Sequence, residues 1–238
     1  MRIALIGYGK MGKAIEEIAL QKGHEIVLTI DQPNLHEFNR ENLSKADVAI
    51  EFTSPHTAYE NVKNCINFGV PVVCGSTGWT EKLDELKKYC DEKNSAFIYS
   101  SNFSIGVNIF FEVNKRLAAL MATHSDYEVI LEETHHTQKK DAPSGTAITL
   151  AEQVLEQVKR KKQWVNELSD NPDDLEIISQ RIDPAPGTHS IKYSSAIDDI
   201  EIIHTAHSRK GFAAGAVLAA EFLKDKKGFF TMKEVLHL

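Results

Sequence analysis

No stretch of the 238 residues strings together enough apolar side chains to cross a bilayer, and the run Ile3-Ala-Leu-Ile6 is shorter than the core of a secretory leader. Cysteine is scarce. Cys65, Cys74 and Cys90 are odd in number and fall in no paired spacing, which excludes a disulfide framework and suits a reducing compartment. A cytoplasmic location is the expectation, with no membrane partner. Positive charge is short as well. Lys and Arg number 27 against 34 Asp and Glu, a formal net charge of −7, which argues against nucleic acid as a partner. The one basic run, Lys159-Arg-Lys-Lys162, falls where a predicted helix ends, so the helix dipole and water account for it. Metal-ligand spacing is also missing. The adjacent His135 and His136 would point to opposite faces of a strand, and no third ligand stands at a familiar interval, so no metal is expected.

The chemistry is concentrated in Glu133-Thr-His-His-Thr-Gln-Lys-Lys-Asp-Ala-Pro-Ser-Gly-Thr-Ala147. The preceding Tyr127-Glu-Val-Ile-Leu-Glu-Glu133 reads as a strand that delivers His135 and His136 to its end. After it, Pro143 and Ser144 are helix-start signals. Ile148, Leu150, Ala151, Val154, Leu155 and Val158 then recur at helical spacing, predicting a helix over 145–158. A helix start has unpaired N–H groups and the positive end of the dipole, so it favours an anion. Gly145 permits close backbone approach, Thr146 adds a hydroxyl donor, and Lys139, Lys140 and the two histidines add cations or proton donors. The expected ligand is a small acid.

At the other end of the chain, Arg2–Gly7 reads as a buried strand, Gly7-Tyr8-Gly9-Lys10-Met11-Gly12 as a glycine turn, and Ile15, Ile18, Ala19 and Leu20 as one face of a helix. A second strand, Glu25–Ile30, ends in Asp31. A G-x-G-x-x-G motif between strand and helix, with an acid about 20 residues on, predicts a dinucleotide site: pyrophosphate over the glycines, adenosine ribose on Asp31. The Asp31 carboxylate repels a 2′-phosphate and Gln32-Pro33 offers no cation, so NADH is moderately favoured. Lys10 or Lys13 keeps NADPH in play.

Strands at 47–52, 70–74 and 96–100 alternate with helices at 57–68 and 81–93, which predicts a parallel sheet. The turns Phe52-Thr53-Ser-Pro55, Gly75-Ser76-Thr77-Gly78 and Ser101-Asn102-Phe103-Ser104 sit at carboxyl ends of strands, where such sheets bind ligands. A long apolar helix over 106–121 leaves this sheet. Beyond it come a polar loop over 164–174 and strands at 175–182, 189–195 and 200–205. The predicted fold class is α/β, a Rossmann-type doubly wound parallel sheet plus a second α+β domain with an open mixed sheet. One face of that second sheet is expected under the helix from Gly145 and the other free for association. The expected boundaries are 1–105 with 210–238 for the dinucleotide-binding domain, and 106–209 for substrate binding and oligomerisation.

His135-His136-x-x-Lys139-x-Asp141-Ala142-Pro143-Ser144-Gly145-Thr146-Ala147 resembles the signature of the 4-hydroxy-tetrahydrodipicolinate reductase (dihydrodipicolinate reductase) family. Phe52-Thr-Ser-Pro55, Gly75-Ser-Thr-Gly78, Asn102-Phe-Ser-Ile-Gly-Val-Asn108 and the stretch from Gly187-Thr-His189 to Arg209 are similar to its other motifs. The resemblance implies reduction of 4-hydroxy-tetrahydrodipicolinate to tetrahydrodipicolinate, with loss of water, by NADH or NADPH in lysine and diaminopimelate biosynthesis. It implies a homotetramer joined through the second sheet and a dicarboxylate substrate. His135 would be general acid and Lys139 would stabilise developing charge. His136, the Gly145 and Thr146 amides and Arg209 would bind substrate, and the three turns would border the ribose and nicotinamide. The glycine loop is one residue shorter than the family's commonest form, and the arginine that often follows the ribose-binding acid is absent; both bear on cofactor preference. Two rivals share part of this pattern. Another two-domain dehydrogenase of an amino acid, semialdehyde or sugar has no reason to carry residues 135–146 as they stand, and a non-catalytic dinucleotide sensor leaves His135 and Lys139 idle.

Overall fold

The computed structural model describes residues 1–208 and 210–238. The chain splits into two units, one made of Met1–Ile105 with the described residues after Arg209, the other of Gly106–Ser208.

The first unit begins with strand β1 (Arg2–Ile6), helix α1 (Lys10–Gln21) and strand β2 (Glu25–Ile30). It continues through α2 (Arg40–Leu43), β3 (Val48–Glu51), α3 (Ala58–Phe68), β4 (Val72–Cys74), α4 (Leu83–Glu92) and β5 (Ala96–Tyr99). Ile3 and Leu5 enter one apolar cluster while Ala4 and Ile6 enter another on the opposite face. The same alternation carries Val73 and Ile98 to the first cluster and Val72, Cys74 and Phe97 to the second. A strand buried on both faces has no polar side to show, which is why these segments read as unbroken apolar runs.

The second unit contains α5 (Ile105–Met121, starting at the last residue of the first unit), β6 (Glu128–His135), α6 (Gly145–Gln157), β7 (Gln163–Val165), β8 (Asp174–Arg181), β9 (Gly187–Ser194) and β10 (Asp199–Ala206). Its sheet runs β10-β9-β6-β8-β7, with β9 antiparallel to β6 and β10, and β8 parallel to β6 and β7. It is open and mixed. Val129, Leu131, Leu175, Ile177, Ile191 and Tyr193 alternate onto one face and form a core with Leu150, Ala151 and Val154 of α6.

The chain then returns to the first unit as α7 (Lys210–Leu223), β11 (Gly228–Phe230) and α8 (Met232–Leu236). The first sheet has the order β11-β5-β4-β3-β1-β2, parallel throughout.

Two local expectations differ. Part of the polar stretch 164–174 is strand, because Gln163–Val165 pairs with Asp174–Glu176. In the basic run after α6, Lys159 and Lys162 are exposed and donate to the carbonyls of Leu155 and Lys159 at the helix end, as expected, whereas Arg160 and Lys161 turn inward. Arg160 Nη2 donates to Tyr127 O at 2.6 Å, and Lys161, 6 % exposed, donates to Pro172 O at 3.0 Å and pairs with Glu128 at 2.9 Å. These side chains tie the end of α6 to neighbouring loops rather than facing water.

Candidate active site

In the first unit the sequence-predicted cofactor residues gather at the carboxyl ends of β1, β2, β3, β4 and β5. Strand order reverses about β1, whose neighbours are β2 and β3, and ligands of doubly wound sheets settle at that switch. Gly7 there has φ +93, and a Cβ on it would stand 2.1 Å from Phe52 O. A Cβ on Gly12 would stand 2.3 Å from Gly7 O, whereas one on Gly9 would meet nothing within 4 Å. The first and third glycines therefore serve packing, and the second leaves a clear approach. Gly9 caps α1 without a side-chain bond, so the amides of the first turn stay open. Lys10 is exposed, Met11 packs on the core, and the Tyr8 hydroxyl donates to Glu16, which raises its pKa. Lys13 Nζ lies 5.8 Å from the Tyr8 ring centroid. This cradle fits a dinucleotide pyrophosphate.

Asp31 is exposed, and its carboxylate accepts from Gln32 N at 2.8 Å, while Asn34 Oδ1 accepts from Asp31 N at 2.8 Å. The capping arrangement orients the acid. At the end of β4, Gly75 makes room for the Phe52 ring, which a Cβ there would meet at 2.1 Å. Phe103, 2 % exposed, packs at 5.8 Å from Phe52, so its ring serves the core. Thr53 N donates to Ser76 Oγ at 2.8 Å and to Glu51 Oε1 at 3.1 Å. Glu51, fully buried on β3, was not singled out from the sequence. Thr77 and Ser101 are exposed, and Asn102 Oδ1 accepts from Ser104 N at 2.9 Å.

The second unit's site follows from the two-residue period of its strands. Val129, Leu131, Glu133 and His135 share the buried face of β6, and β8 presents Leu175, Ile177, Ser179 and Arg181 on the same face. On β9 the set is Gly187, His189, Ile191 and Tyr193. Each strand changes from apolar to polar at the same edge of the sheet. Register completes the cluster, since Glu133 lies opposite Ser179 and His189, and His135 opposite Arg181.

Helix α6 starts at this polar edge. Its cap, Ser144, accepts from Ala147 N at 3.2 Å, and Ser144 N donates to both Glu133 oxygens, at 3.2 and 3.1 Å. Gly145 is open, with nothing within 4 Å of a built Cβ, and Thr146 is half-buried beside it. Glu133 Oε1 also accepts from Ser179 Oγ at 2.8 Å and Arg181 Nη2 at 3.1 Å. His135 Nδ1 lies 3.4 Å from Glu133 Oε2, and His189 Nε2 lies 3.6 Å from the same oxygen and 3.1 Å from Ser144 Oγ. Lys139 Nζ is 2.9 Å from each oxygen of Asp141, and His136 is half-buried.

Burial pushes the His135 pKa down to about 4, and His189, Lys139 and Arg181 add to that against the opposing charge of Glu133. Burial works against the Glu133 charge too. There His189, Ser144 and Ser179 prevail, with the charge of His135, and hold the carboxyl well below the usual range. Asp141 is likewise opposed by burial and lowered by Lys139.

Glu133, His135 and His189 bring potential ligand atoms within 4.8 Å of one another, a grouping that spacing along the chain does not reveal. Both carboxylate oxygens are already engaged by donors, and Arg181 and Lys139 disfavour a dication there. Sequence reasoning placed His135, His136, Lys139, Gly145 and Thr146 in one stretch, and the fold keeps them at this edge. It gave no role to Glu133, Ser179, Arg181 or His189. The expected Arg209 lies outside the described residues.

A glycine-turn cradle on a doubly wound parallel sheet fits the class of nicotinamide-dependent oxidoreductases. The comparisons narrow the class. The family model described as "Dihydrodipicolinate reductase, N-terminus" matches residues 1–103, and "Dihydrodipicolinate reductase, C-terminus" matches 106–236. The chain is 51 % identical over 237 residues, 99 % of this chain and 98 % of the other, to the 4-hydroxy-tetrahydrodipicolinate reductase of Christiangramia forsetii. It is 34 % identical to that of Thermosipho africanus, again over 99 % of this chain and 98 % of the relative. In fold it is similar to a dipicolinate-bound dihydrodipicolinate reductase from Paenisporosarcina sp. TG-14, with a TM-score of 0.77, 24 % identity and 97 % of each chain covered. The chain belongs to the dihydrodipicolinate reductase family, and is an NAD(P)H-dependent oxidoreductase with a Rossmann-type domain.

Proposed function

We propose that the chain reduces 4-hydroxy-tetrahydrodipicolinate to tetrahydrodipicolinate with release of water, in the route to diaminopimelate and lysine, and that residues 1–105 with 210–238 bind the dinucleotide while 106–209 bind substrate. The observation that carries the site assignment is the polar edge of the second sheet, where His135, Lys139 and the open start of α6 stand together. When bound, NAD(P)H supplies the hydride. The protein's own groups supply charge and the proton. The Gly145 and Thr146 amides take one substrate carboxylate at the helix start. Lys139 exchanges Asp141 for a second carboxylate and stabilises charge that develops on the ring. His136 and Arg209 complete the anion site.

His135 donates the proton. At a pKa near 4 it is neutral at pH 7 before substrate arrives, and a bound dianion raises that pKa until Nε2 carries a transferable proton. Asp31 reads the adenosine ribose and favours NADH, since its exposed carboxylate opposes a 2′-phosphate. A homotetramer is favoured by apolar side chains left open on the second unit: Ile109 and Val113 of α5 and Ile203 of β10 are 46, 44 and 58 % exposed and line one groove.

The deciding assay follows loss of NADH absorbance with substrate generated in place by the condensing synthase of the preceding step. Turnover dependent on that synthase supports the reading; oxidation of NADH with an amino acid, semialdehyde or sugar in its stead would replace it. Light scattering after size separation reads the subunit number, and a monomer removes the tetramer.

A further inference from the structure

We propose that Glu133 is a positioning residue of the reaction, its buried carboxylate holding His135 with Nδ1 inward and Nε2 outward and supplying the counter-charge for the imidazolium. The proposal rests on the reading of His135 as proton donor.

A carboxylate at 1 % exposure carries a large desolvation cost, which only a full set of partners offsets. Ser144 N, Ser179 Oγ and Arg181 Nη2 supply donors. Those contacts would suffice for a structural ion pair. Yet Oε2 also faces two imidazoles, His135 at 3.4 Å and His189 at 3.6 Å. His135 Nδ1 is buried and makes no hydrogen bond in this state, so the anion beside it is the acceptor to which an N–H there would point. The opposite edge of the ring is fixed by a different device. A Cβ on Gly187 would stand 3.1 Å from His135 Nε2, so the glycine leaves room at the atom that must meet substrate. His189 packs edge-on at 5.0 Å between ring centroids and closes a third side.

The charges around His135 come from every strand of the cluster: Glu133 on β6, Arg181 on β8, His189 on β9, and Lys139 in the loop after β6. Of these, only Glu133 favours the imidazolium. The proton balance follows. Neutral His135 carries hydrogen on Nδ1; substrate binding adds a second proton from solvent at Nε2; the substrate's hydroxyl leaves with a ring hydrogen as water; the Nε2 proton passes to the ring as hydride arrives; Nδ1–H and the Glu133 carboxylate end as they began. Because Glu133 also accepts from Ser144 N, the orientation of the donor and the position of the anion-binding helix start are set by one side chain.

The test is a double-mutant cycle of Glu133→Gln and His135→Gln, with kcat followed across pH. Glu133→Gln should lower kcat about a hundredfold with KM for NADH within about twofold, and move the alkaline limb of the kcat profile down by about one pH unit or more. In the His135→Gln background the same change should cost less than about threefold, because the group it serves is gone. Two substitutions whose effects multiply, or a limb that stays in place, would overturn the proposal while leaving His135 as donor. An active His135→Gln enzyme is the distinct result that removes the parent reading and this one together. Should Glu133→Gln fail to fold, the nitrogen-15 histidine spectrum of the unsubstituted enzyme decides: hydrogen on Nδ1 of neutral His135 is expected, and hydrogen on Nε2 overturns the assignment.

Discussion

For His135, burial opposes a charge that the Glu133 carboxylate favours, and His189, Lys139 and Arg181 add to the opposition, so on the proposed reading its protonation is tied to substrate. With a pKa near 4 the ring is neutral at pH 6 to 7, and on that proposed reading the dianion draws a proton in. Calorimetry with a dicarboxylate analogue in buffers of different ionisation enthalpy should read uptake of close to one proton per site in that range. His135→Gln should abolish the uptake and lower kcat by roughly 10²- to 10⁴-fold, with little change in cofactor affinity. Analogue binding without proton uptake counts against the assignment. Asp31 offers a second residue-level test. Its exposed carboxylate and a lysine near the glycine turn each act with on the order of 1 kcal/mol, so both cofactors should work, with NADH ahead by less than about a hundredfold in kcat/KM. Asp31→Ser should move the ratio toward NADPH and Lys10→Ala toward NADH; an unmoved ratio in both variants places the reading of the ribose elsewhere.

Among the elements, α6 joins stability to the proposed anion binding through its first residues. Ser144→Ala removes the cap on Ala147 N and should cost about 1 kcal/mol in denaturant unfolding, with a raised KM for substrate as the helix start loosens. Equal KM in parent and variant would separate the cap from the anion site. This stretch was legible because its parts are contiguous: strand end, histidines, lysine and cap lie within Glu133–Thr146. The glycine turn was legible for the same reason. Arg181, Ser179 and His189 were not, because register across β6, β8 and β9 brings them in from 46 or more residues away, and spacing along the chain carries no record of register. Strands β7 and β11 escaped because each is three half-buried or exposed residues whose pairing partners, β8 and β5, the local sequence does not name. Lys161 looked like a solvated charge because burial of a lysine depends on Pro172 O and Glu128, neither of which its own segment names.

For the whole molecule, the same buried groups govern acid stability. Glu133 is depressed in the folded state, so its contribution is present above the unfolded carboxyl value and is lost as pH falls toward the folded one. His135 is depressed from 6.5 to about 4, so unfolded chain binds the proton first and stability falls across that interval, by on the order of 3 kcal/mol for this group. Thermal unfolding measured from pH 7 to 4 should show a falling Tm, and His135→Gln should flatten the slope between about 6.5 and 4; an identical slope in the variant would show that other groups govern it.

The return of the chain to its first sheet carries a consequence for synthesis. Ala213, Ala216, Val217, Ala219, Ala220 and Leu223 of α7 sit in the same cluster as Ile3 and Leu5, and β11 covers the edge of β5. On the ribosome, therefore, the segment made first is finished last. Residues 106–208 are contiguous and can condense as they emerge, while the first unit waits with an open edge for α7 and β11. A nascent chain arrested at residue 208 should yield to protease within 1–105 and resist within 106–208, and the reverse pattern would place the folding order the other way. On the proposed assignment of the dinucleotide to the first unit, cofactor capture is the last ability the chain acquires, and a product cut short before α7 should bind no dinucleotide and compete for none.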